Sequence, residues 1–345
     1  MTQHIPVFIE GQDELIDILA TAVCSVCYNT KSFVDFYVLD CGICPFNKKL
    51  LNTLKTKFDN LSLEFIPIDL KRFEGMKGWP PPEYKFLDCY ARLLIPELKP
   101  ELNKAIYLDS DVIALGDIKE LWDQDLNGFA LGAVADNGYG EPYLSNCINN
   151  LNVDPKHIYA NAGMLLIDCE KWRQNDITEK LLEIGRKNKD HLIVLNEDIL
   201  SVYFSPNQYR LLDNRFNLTD LPSKICKNVA PHITDEYMAR QWKDPVIYHF
   251  CHGKPFKQIK NNYNGRTLRH FDSFWFFAQM TPFYAGMQIR INEFLDQIAS
   301  QHSCKEKYKL FGIFPLMTVR RKNGITKYKL LNFIPIIKKI VERKK

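Results

Sequence analysis

Two aspartates, Asp109 and Asp111, follow the apolar run AIYL and are separated only by the small residue Ser110. Carboxylates at positions i and i+2 beyond the end of a strand can both reach one cation, and such oxygen ligands suit Mn²⁺ or Mg²⁺. A cation held there would stabilise the charge on a diphosphate leaving group. Solvated acidic turns show the same pattern, so the interpretation depends on what the rest of the chain places beside the pair.

Other polar residues also follow apolar segments of the chain. Glu10 comes after IPVFI, Asp136 after FALGAVA, and His249 after DPVIY. In open parallel sheets, ligands bind outside the carboxyl ends of the strands, so we expect these groups to converge on the aspartate pair. For His249 the alternative is an ordinary polar residue that closes a strand.

The pattern of apolar residues predicts an α/β fold. Strands are expected at residues 5–11, 34–42 and 61–69, with helices at 13–29 and 45–60 between them. This alternation is typical of β-α-β units and of a parallel sheet covered by helices on both faces. Further strands are predicted in KAIYL, FALGAVAD, YANAGMLLID and DPVIYHF, and helices in DCYARLLIPEL and EDILSVYF. The prolines at 80–82 predict a loop between these parts.

Composition and cysteine usage narrow the class of protein. A chain of 345 residues with 46% hydrophobic and 25% charged residues is expected to be globular. Its first residues lack a basic stretch followed by an apolar run, and no stretch of 18 apolar residues occurs, so neither a signal peptide nor a spanning helix is predicted. We interpret the ten cysteines as reduced thiols of a cytoplasmic protein, including the pairs Cys24/Cys27 and Cys41/Cys44 that could suggest a zinc ribbon.

The last residues, 305–345, carry 13 Lys/Arg and two acids, a net charge of +11 that leaves the rest of the chain at −7. Two segments, YKLFGIFPLM (308–317) and YKLLNFIPII (328–337), repeat at a period of 20. Bases interleaved with apolar residues predict a tail that associates with an anionic membrane surface, here the inner face of the cytoplasmic membrane. The alternative is a solvated basic tail whose aromatic residues pack on the body. A nucleic-acid partner is not predicted.

Four segments in order, YLDSDVIALGDIKELW, NAGMLLIDCEKW, NEDIL and HFCHGKPF, resemble the family 8 retaining glycosyltransferases. These include bacterial lipooligosaccharide and lipopolysaccharide α-galactosyl- and α-glucosyltransferases and, more distantly, the glycogenins. The resemblance implies one GT-A type, Rossmann-like domain with a mostly parallel central sheet. We expect a nucleotide-sugar-binding catalytic domain at 1–270, a helical extension at 271–304 and the basic, aromatic tail at 305–345.

The resemblance also implies roles for individual residues. Mn²⁺ (or Mg²⁺) would be held by Asp109, Asp111 and His249, and Lys254 would contact the donor diphosphate beside the backbone of Gly253. Arg92 would reach the donor, with an ion pair to a neighbouring carboxylate as the alternative. Asn196, Glu197 and Asp198 would lie at the reactive face of the sugar. The further donor-binding positions are Ile9, Glu10, Gly11 and Asp13, around uracil and ribose, and Ser110, Asp136, Asn161 and Ala162.

The implied activity is transfer of glucose or galactose from a UDP-sugar to a glycan, such as the oligosaccharide of a cell-surface lipopolysaccharide. Retention would arise by same-face attack or through a covalent intermediate, for which Glu197 and Asp198 are the candidate carboxylates. The first loop lacks the aromatic residue that would stack on uracil, which leaves the base open. Asn196-Glu197-Asp198 stands where relatives often have Asp-Gln-Asp, so the choice between sugars cannot be transferred from the family, and Phe256 replaces a Trp. Two alternatives are an aspartyl-nucleophile phosphatase and an inactive transferase fold that serves as a membrane scaffold.

Overall fold

In a computed structural model, the first apolar runs form the strands that their alternation with helices predicts. β1 (His4–Gly11), β2 (Phe33–Asp40) and β3 (Leu61–Pro67) lie parallel to one another. The helices between them are shorter than predicted because tighter 3₁₀ turns replace one end of each. The turn Asp13–Leu15 precedes α1 (Ile16–Asn29), and the turn Thr53–Thr56 follows α2 (Pro45–Asn52).

The structure describes residues 3–78, 87–136, 140–219, 230–251, 253–256, 268–301, 304–310, 314–322, 325–330 and 334–340. The predicted loop at prolines 80–82 lies outside these residues. The chain forms two compact units, Met1–Tyr284 and Ala285–Lys345. The predicted domain boundaries at 270 and 304 stay predictions.

The first unit is built on a seven-stranded sheet in the order β3-β2-β1-β4-β7-β6-β8. Its later strands are β4 (Lys104–Leu108), β6 (Leu131–Ala135), β7 (Ala160–Asp168) and β8 (Arg210–Leu212). All strands run parallel except β7, which is antiparallel to both β4 and β6. The mostly parallel sheet is therefore confirmed. Because β7 is reversed, its first residues, not its last, lie at the edge where β1 and β4 end.

The strand that carries His249 is not part of this central sheet. β5 (Val112–Ala114) and β9 (Ile247–His249) form a separate two-stranded antiparallel sheet. The expectation that His249 follows a strand of the parallel sheet was wrong, because an apolar run alone does not show which neighbour a strand pairs with. The observed pairing sets His249 opposite Val112, directly after the aspartate pair.

The remaining helices include α11 (Tyr284–Gln301), which apart from Tyr284 belongs to the second unit. The segment from Asp88 is 3₁₀ to Leu94 and α-helical only afterwards, since Pro96 fits the first turn of an α-helix but not its interior. The other 3₁₀ turns are Leu70–Phe73 and Asn214–Phe216. The helices are α3 (Ile95–Leu98), α4 (Lys119–Trp122), α5 (Gly140–Leu151), α6 (Cys169–Gln174), α7 (Ile177–Lys187), α8 (Asn196–Tyr203), α9 (Asp235–Gln241), α10 (Phe271–Ala278) and α11 (Tyr284–Gln301).

Apolar side chains from the two faces of the sheet form the core. Residues 16–27 of α1 are all buried, as expected for a helix that is apolar on every side. Its polar residues are satisfied locally, since the hydroxyl of Thr21 donates to the carbonyl of Asp17. Cys24 and Cys27 are free thiols within this buried helix, which agrees with the buried-thiol interpretation and not with a zinc ribbon.

The second unit contains a four-stranded antiparallel sheet formed by the tail. Its strands are β10 (Cys304–Leu310), β11 (Phe314–Lys322), β12 (Ile325–Leu330) and β13 (Ile334–Ile340). The 20-residue repeat corresponds to two equivalent hairpins, because the strand register shifts after Tyr308 and again after Tyr328. Across the described residues, the helices all fall short of the length and apolar character needed to span a membrane.

Candidate active site

Asp109 is the first residue after β4 and is held in place from three directions. The hydroxyl of Tyr107 donates to its Oδ1 at 2.7 Å, and the guanidinium of Arg92 lies 2.9 Å from the same atom. The backbone N–H of Asp109 donates to the carbonyl of Gly163 on the reversed strand β7, at 2.8 Å. Because these contacts engage Oδ1 and the backbone, Oδ2 of Asp109 faces His249, whose Nε2 lies 3.8 Å away.

The predicted aspartate pair and His249 come together. Nε2 of His249 lies 3.1 Å from Oδ1 of Asp111 and 3.8 Å from Oδ2 of Asp109. One ligand atom from each of the three residues falls within 4.8 Å of the others, which in the described part of the chain is the one group of this kind. Two carboxylates and an imidazole suit Mn²⁺ or another small divalent cation that accepts both oxygen and nitrogen ligands. The three residues therefore form a candidate divalent-cation site.

Lys254 faces the same aspartate. Its ammonium forms an ion pair with Oδ2 of Asp111, while His249 occupies Oδ1. Burial pushes the pKa of Asp111 upward, but the ammonium of Lys254 and the imidazole of His249 outweigh it and hold that pKa well below its ordinary value. Asp111 is thus kept as a carboxylate, the form that binds a cation.

Two residues that the sequence did not single out support the imidazole. Gly163 leaves the space for the ring, because a Cβ at this position would lie 2.2 Å from Cε1 of His249. Oδ1 of Asn217 lies 3.0 Å from Nδ1 of the same ring. A lone glycine inside a strand can indicate a close approach, so Gly163 carried a signal. The sequence carried no such signal for Asn217, because it follows a 3₁₀ turn and is distant in sequence from the motifs of the site.

Arg92 is buried, and several protein groups bind its guanidinium. It donates to the carbonyl oxygens of Ala162 at 2.8 Å and Cys89 at 3.0 Å, and its guanidinium stacks over the Tyr107 ring. Its second terminal nitrogen lies 3.5 Å from Oε2 of Glu10. The ion pair with neighbouring carboxylates, left open by the sequence, is therefore present. Arg92 joins β1, β4 and β7 at the edge where the site lies.

Glu10 stands at the end of β1 beside Arg92 and Asp88. Burial is the largest influence on this carboxyl and raises its pKa to about 8, with Asp88 and Asp109 adding to the effect and Arg92 opposing it. Glu10 therefore keeps its proton near neutral pH. A neutral carboxyl can donate a hydrogen bond as well as accept one, which the charged form cannot do.

The predicted catalytic segment divides into two parts. Oε1 of Glu197 accepts the backbone N–H of Ala162 at 3.0 Å, and burial and then the nearby Asp136 raise the pKa of Glu197 well above its ordinary value. Asp198 is fully buried instead. Its oxygens accept the hydroxyl of Tyr159 at 2.7 Å and the N–H groups of residues 193 and 194 at 2.5 and 2.8 Å. The structure therefore brings Glu197 to the site and leaves Asp198 behind it as a support for the loop.

A cavity of about 540 Å³ opens at this edge of the sheet, and a second of about 250 Å³ adjoins it. Predicted residues that line the larger one are Glu10, Asp109, Asp111, Asp136, Asn161, Asn196, Glu197, His249 and Lys254. Arg92 and Ser110 line the smaller one.

The other predicted donor-binding residues do not line either cavity. Ile9, Gly11, Ala162 and Gly253 are buried, and each can offer at most its backbone. Asp13 is engaged at the start of α2, where its Oδ1 accepts the backbone N–H of Cys44 at 2.8 Å and the side-chain amide of Asn47 at 3.0 Å.

Comparisons with known proteins agree on one family. The family model described as "Glycosyl transferase family 8" matches residues 6–260. General stress protein A of Bacillus subtilis (strain 168) is 31% identical over 64% of this chain and 75% of its own length. Glycosyltransferase GlyF of Streptococcus pneumoniae serotype 4 is 31% identical over 73% of this chain but only 56% of its own length. The crystal structure of the galactosyltransferase LgtC with donor and acceptor sugar analogues superposes with a TM-score of 0.67 and 24% identity, over 82% of this chain and all of that one.

Proposed function

The chain belongs to glycosyltransferase family 8, and on that premise we propose that it is a retaining hexosyltransferase that requires a divalent cation. The proposed donor is a UDP-sugar that carries glucose or galactose, and the proposed acceptor is a glycan. The fold supports this, since the α/β architecture and mostly parallel sheet are of the GT-A type seen in LgtC.

One observation carries the proposal. Asp109, Asp111 and His249 present their ligand atoms within 4.8 Å of one another, on the wall of a cavity of about 540 Å³. The cavity has room for a sugar beside a diphosphate, and its wall holds the cationic group of Lys254. We therefore assign Mn²⁺, or Mg²⁺, to these three residues.

The side chains around the cavity have different proposed roles in the reaction. A cation bound at the site supplies positive charge to the diphosphate leaving group. Lys254 already pairs with Asp111 and can transfer its hydrogen bonds to a phosphate oxygen when the donor binds. Asp136, Asn161 and Asn196 line the cavity as hydrogen-bonding partners for sugar hydroxyls. Arg92 holds Asp109 in position by its ion pair with Oδ1. It does not line the larger cavity, so we do not assign it a contact with the sugar there.

The bond between the sugar C1 and the phosphate oxygen breaks, and its electron pair leaves with UDP. The acceptor hydroxyl then forms the new bond to C1, and its proton passes to the departing phosphate oxygen if attack occurs on the same face. A covalent route would need a carboxylate nucleophile, and of the two candidates only Glu197 lines the cavity. The backbone N–H of Ala162 already engages Oε1 of this carboxyl, and burial raises its pKa; both disfavour a free charged nucleophile and so favour same-face attack.

The tail is proposed to bind an anionic membrane surface, where a lipid-linked oligosaccharide such as a lipopolysaccharide precursor would be presented on the cytoplasmic side. The strand register supports this. Lys305, Arg320, Lys327 and Lys338 are paired in one row across all four strands of the second unit. An anionic surface would attract such a row of bases. Each base near such a surface contributes about 1 kcal/mol of binding.

Two double variants of equal charge test the role of this row. Arg320→Gln/Lys327→Gln removes two bases of the row, and Arg321→Gln/Lys339→Gln removes two bases of the adjacent row. On phosphatidylglycerol vesicles at low salt, the first pair should weaken binding about tenfold or more, and the second clearly less. Equal losses would mean that net charge alone acts, and no binding by the wild type would reject the membrane partner.

A donor screen tests the enzymatic proposal. The protein is incubated with Mn²⁺ and UDP-glucose, UDP-galactose or their N-acetyl forms, and UDP release is measured with Asp111→Asn as the control. Cation-dependent hydrolysis of one donor is the expected result. Phosphate release from phosphomonoesters without nucleotide binding would instead favour the phosphatase alternative. Failure to bind UDP with Mn²⁺ in calorimetry would favour the inactive scaffold.

A further inference from the structure

His249 can ligate a cation through Nε2 only if that nitrogen carries a lone pair, and its other nitrogen must then hold the ring proton. The ring is buried, with 4% of its surface exposed, so water does not set this choice. Nδ1 faces Oδ1 of Asn217 at 3.0 Å. The direction of that hydrogen bond decides which nitrogen carries the proton, and an amide can in principle present either its oxygen or its nitrogen.

The surrounding hydrogen bonds fix the direction. The backbone N–H of Gly163 can only donate, and it lies 3.0 Å from one end of the Asn161 amide, which must therefore be the oxygen. Asn217 meets that same oxygen at 2.7 Å, so it must present its NH₂ there. Its own oxygen then points to Nδ1 of His249, and an oxygen can only accept. A backbone N–H thus determines, through two amides, that Nδ1 is protonated.

We infer that Asn217 is a positioning residue that holds a proton on Nδ1 of His249 and orients the ring, so that Nε2, which faces Oδ1 of Asp111 at 3.1 Å, is the nitrogen that ligates the cation. The inference rests on the proposed function, in which His249 is a ligand. Asn217 is 1% exposed and directly follows the 3₁₀ turn Asn214–Phe216. Partners of this kind orient ligating histidines, and their loss commonly weakens metal binding about 10–100-fold. Gly163 contributes twice, by its N–H and by the space it leaves for the ring.

The proton can be observed directly in the full-length protein. With ¹⁵N-labelled histidine, NMR of the metal-free and Mg²⁺-loaded protein should show a proton bonded to Nδ1 of His249 in both states, the signal being assigned by its absence in His249→Ala. In Asn217→Leu, which removes the acceptor and keeps the branched shape with the same number of heavy atoms, this proton should exchange with water too fast to observe. An unprotonated Nδ1 in the wild type, in either state, would overturn the inference.

Metal affinity gives a second, independent measurement. Calorimetric titration with Mn²⁺ alone should show affinity about 10–100-fold weaker in Asn217→Leu than in the wild type. Asn214→Leu is the matched control, since Asn214 is equally buried in the same turn and binds Ala135 and Tyr237 instead. It should lose comparable stability yet bind Mn²⁺ within about threefold of the wild type.

The calorimetric results distinguish failure of the role assigned to Asn217 from failure of the proposed cation site. Equal affinity in Asn217→Leu and the wild type, or an equal loss in Asn214→Leu, would show that Asn217 acts only on stability. Absence of Mn²⁺ binding by the wild type would reject the proposed cation site itself, and it would be recognised without any variant. The NMR signal would still report the protonation of His249 in that case.

Discussion

Replacing Gly163 by alanine should disable the candidate cation site without touching any of its ligands. The added Cβ would lie 2.2 Å from Cε1 and 2.6 Å from Nδ1 of His249, where about 3.4 Å is the closest ordinary contact. The ring must therefore move by about 1.2 Å. Metal–ligand distances tolerate about 0.2 Å, so Nε2 cannot stay in the coordination sphere after such a shift.

We expect Gly163→Ala to weaken Mn²⁺ binding by more than the 10–100-fold typical of a lost supporting residue, and to lower transfer accordingly. Overpacking should also cost about 1–3 kcal/mol of folding stability. Calorimetry with Mn²⁺ and thermal unfolding measure the two effects separately. The matched control is Gly132→Ala on the neighbouring strand β6, where the added Cβ would lie 2.7 Å from Leu126 and far from the ligands. This variant should lose stability and keep Mn²⁺ affinity.

A double variant tests the cause of the loss. If the main clash is with the ring, then Gly163→Ala should cost less stability in a His249→Ala background, where only the milder contact with Oδ1 of Asn161 at 3.0 Å remains. The reasoning fails if Gly163→Ala binds Mn²⁺ within about threefold of the wild type, or if the stability costs of the two changes simply add.

Three further changes address the other groups of the site. Asp109→Asn or Asp111→Asn should lower transfer by about 10²–10³ or more with the fold intact by circular dichroism, and activity within about threefold of the wild type would reject the cation assignment. Glu10 holds a proton in the folded state up to about pH 8 that the unfolded chain releases near its ordinary value of 4.5, so folding stability should fall as pH rises through this window. In chelator-treated protein, Glu10→Gln should flatten that dependence of the melting temperature; an unchanged slope would place the titration elsewhere. Glu197→Gln should retain measurable transfer, and intact-mass spectrometry of the wild type with donor alone should show no sugar adduct, whereas an adduct on Glu197 would establish the covalent route.

Local patterns in the sequence were sufficient for most of the fold. Apolar runs of strand length separated by helical stretches predicted β1 to β3 and the helices between them, because each pattern reflects burial within one segment. The ends were less accurate. The first helix begins as 3₁₀ at Asp13, and the second ends as 3₁₀ from Thr53, since such turns depend on contacts outside the segment.

The candidate site was predicted as a set of ligands but not as a geometry. The family resemblance predicted one site that contains Asp109, Asp111, His249 and Lys254. In the structure these four side chains lie together. Asp198 was predicted beside Glu197 and lies behind it, because neighbouring residues at the start of a helix point in different directions. No pattern in the sequence distinguishes the two carboxylates.

The sequence by itself determined which residue types were available for chemistry and which segments would be strands, because both are properties of a few consecutive residues. Only the tertiary structure decided that β7 runs against its neighbours, which brings Asn161 and Gly163 to the edge where β4 delivers Asp109. It alone showed Asn217 beside His249, 32 positions apart in the chain. Strand direction and such contacts depend on how distant segments pack, and a single sequence read locally carries no record of that packing.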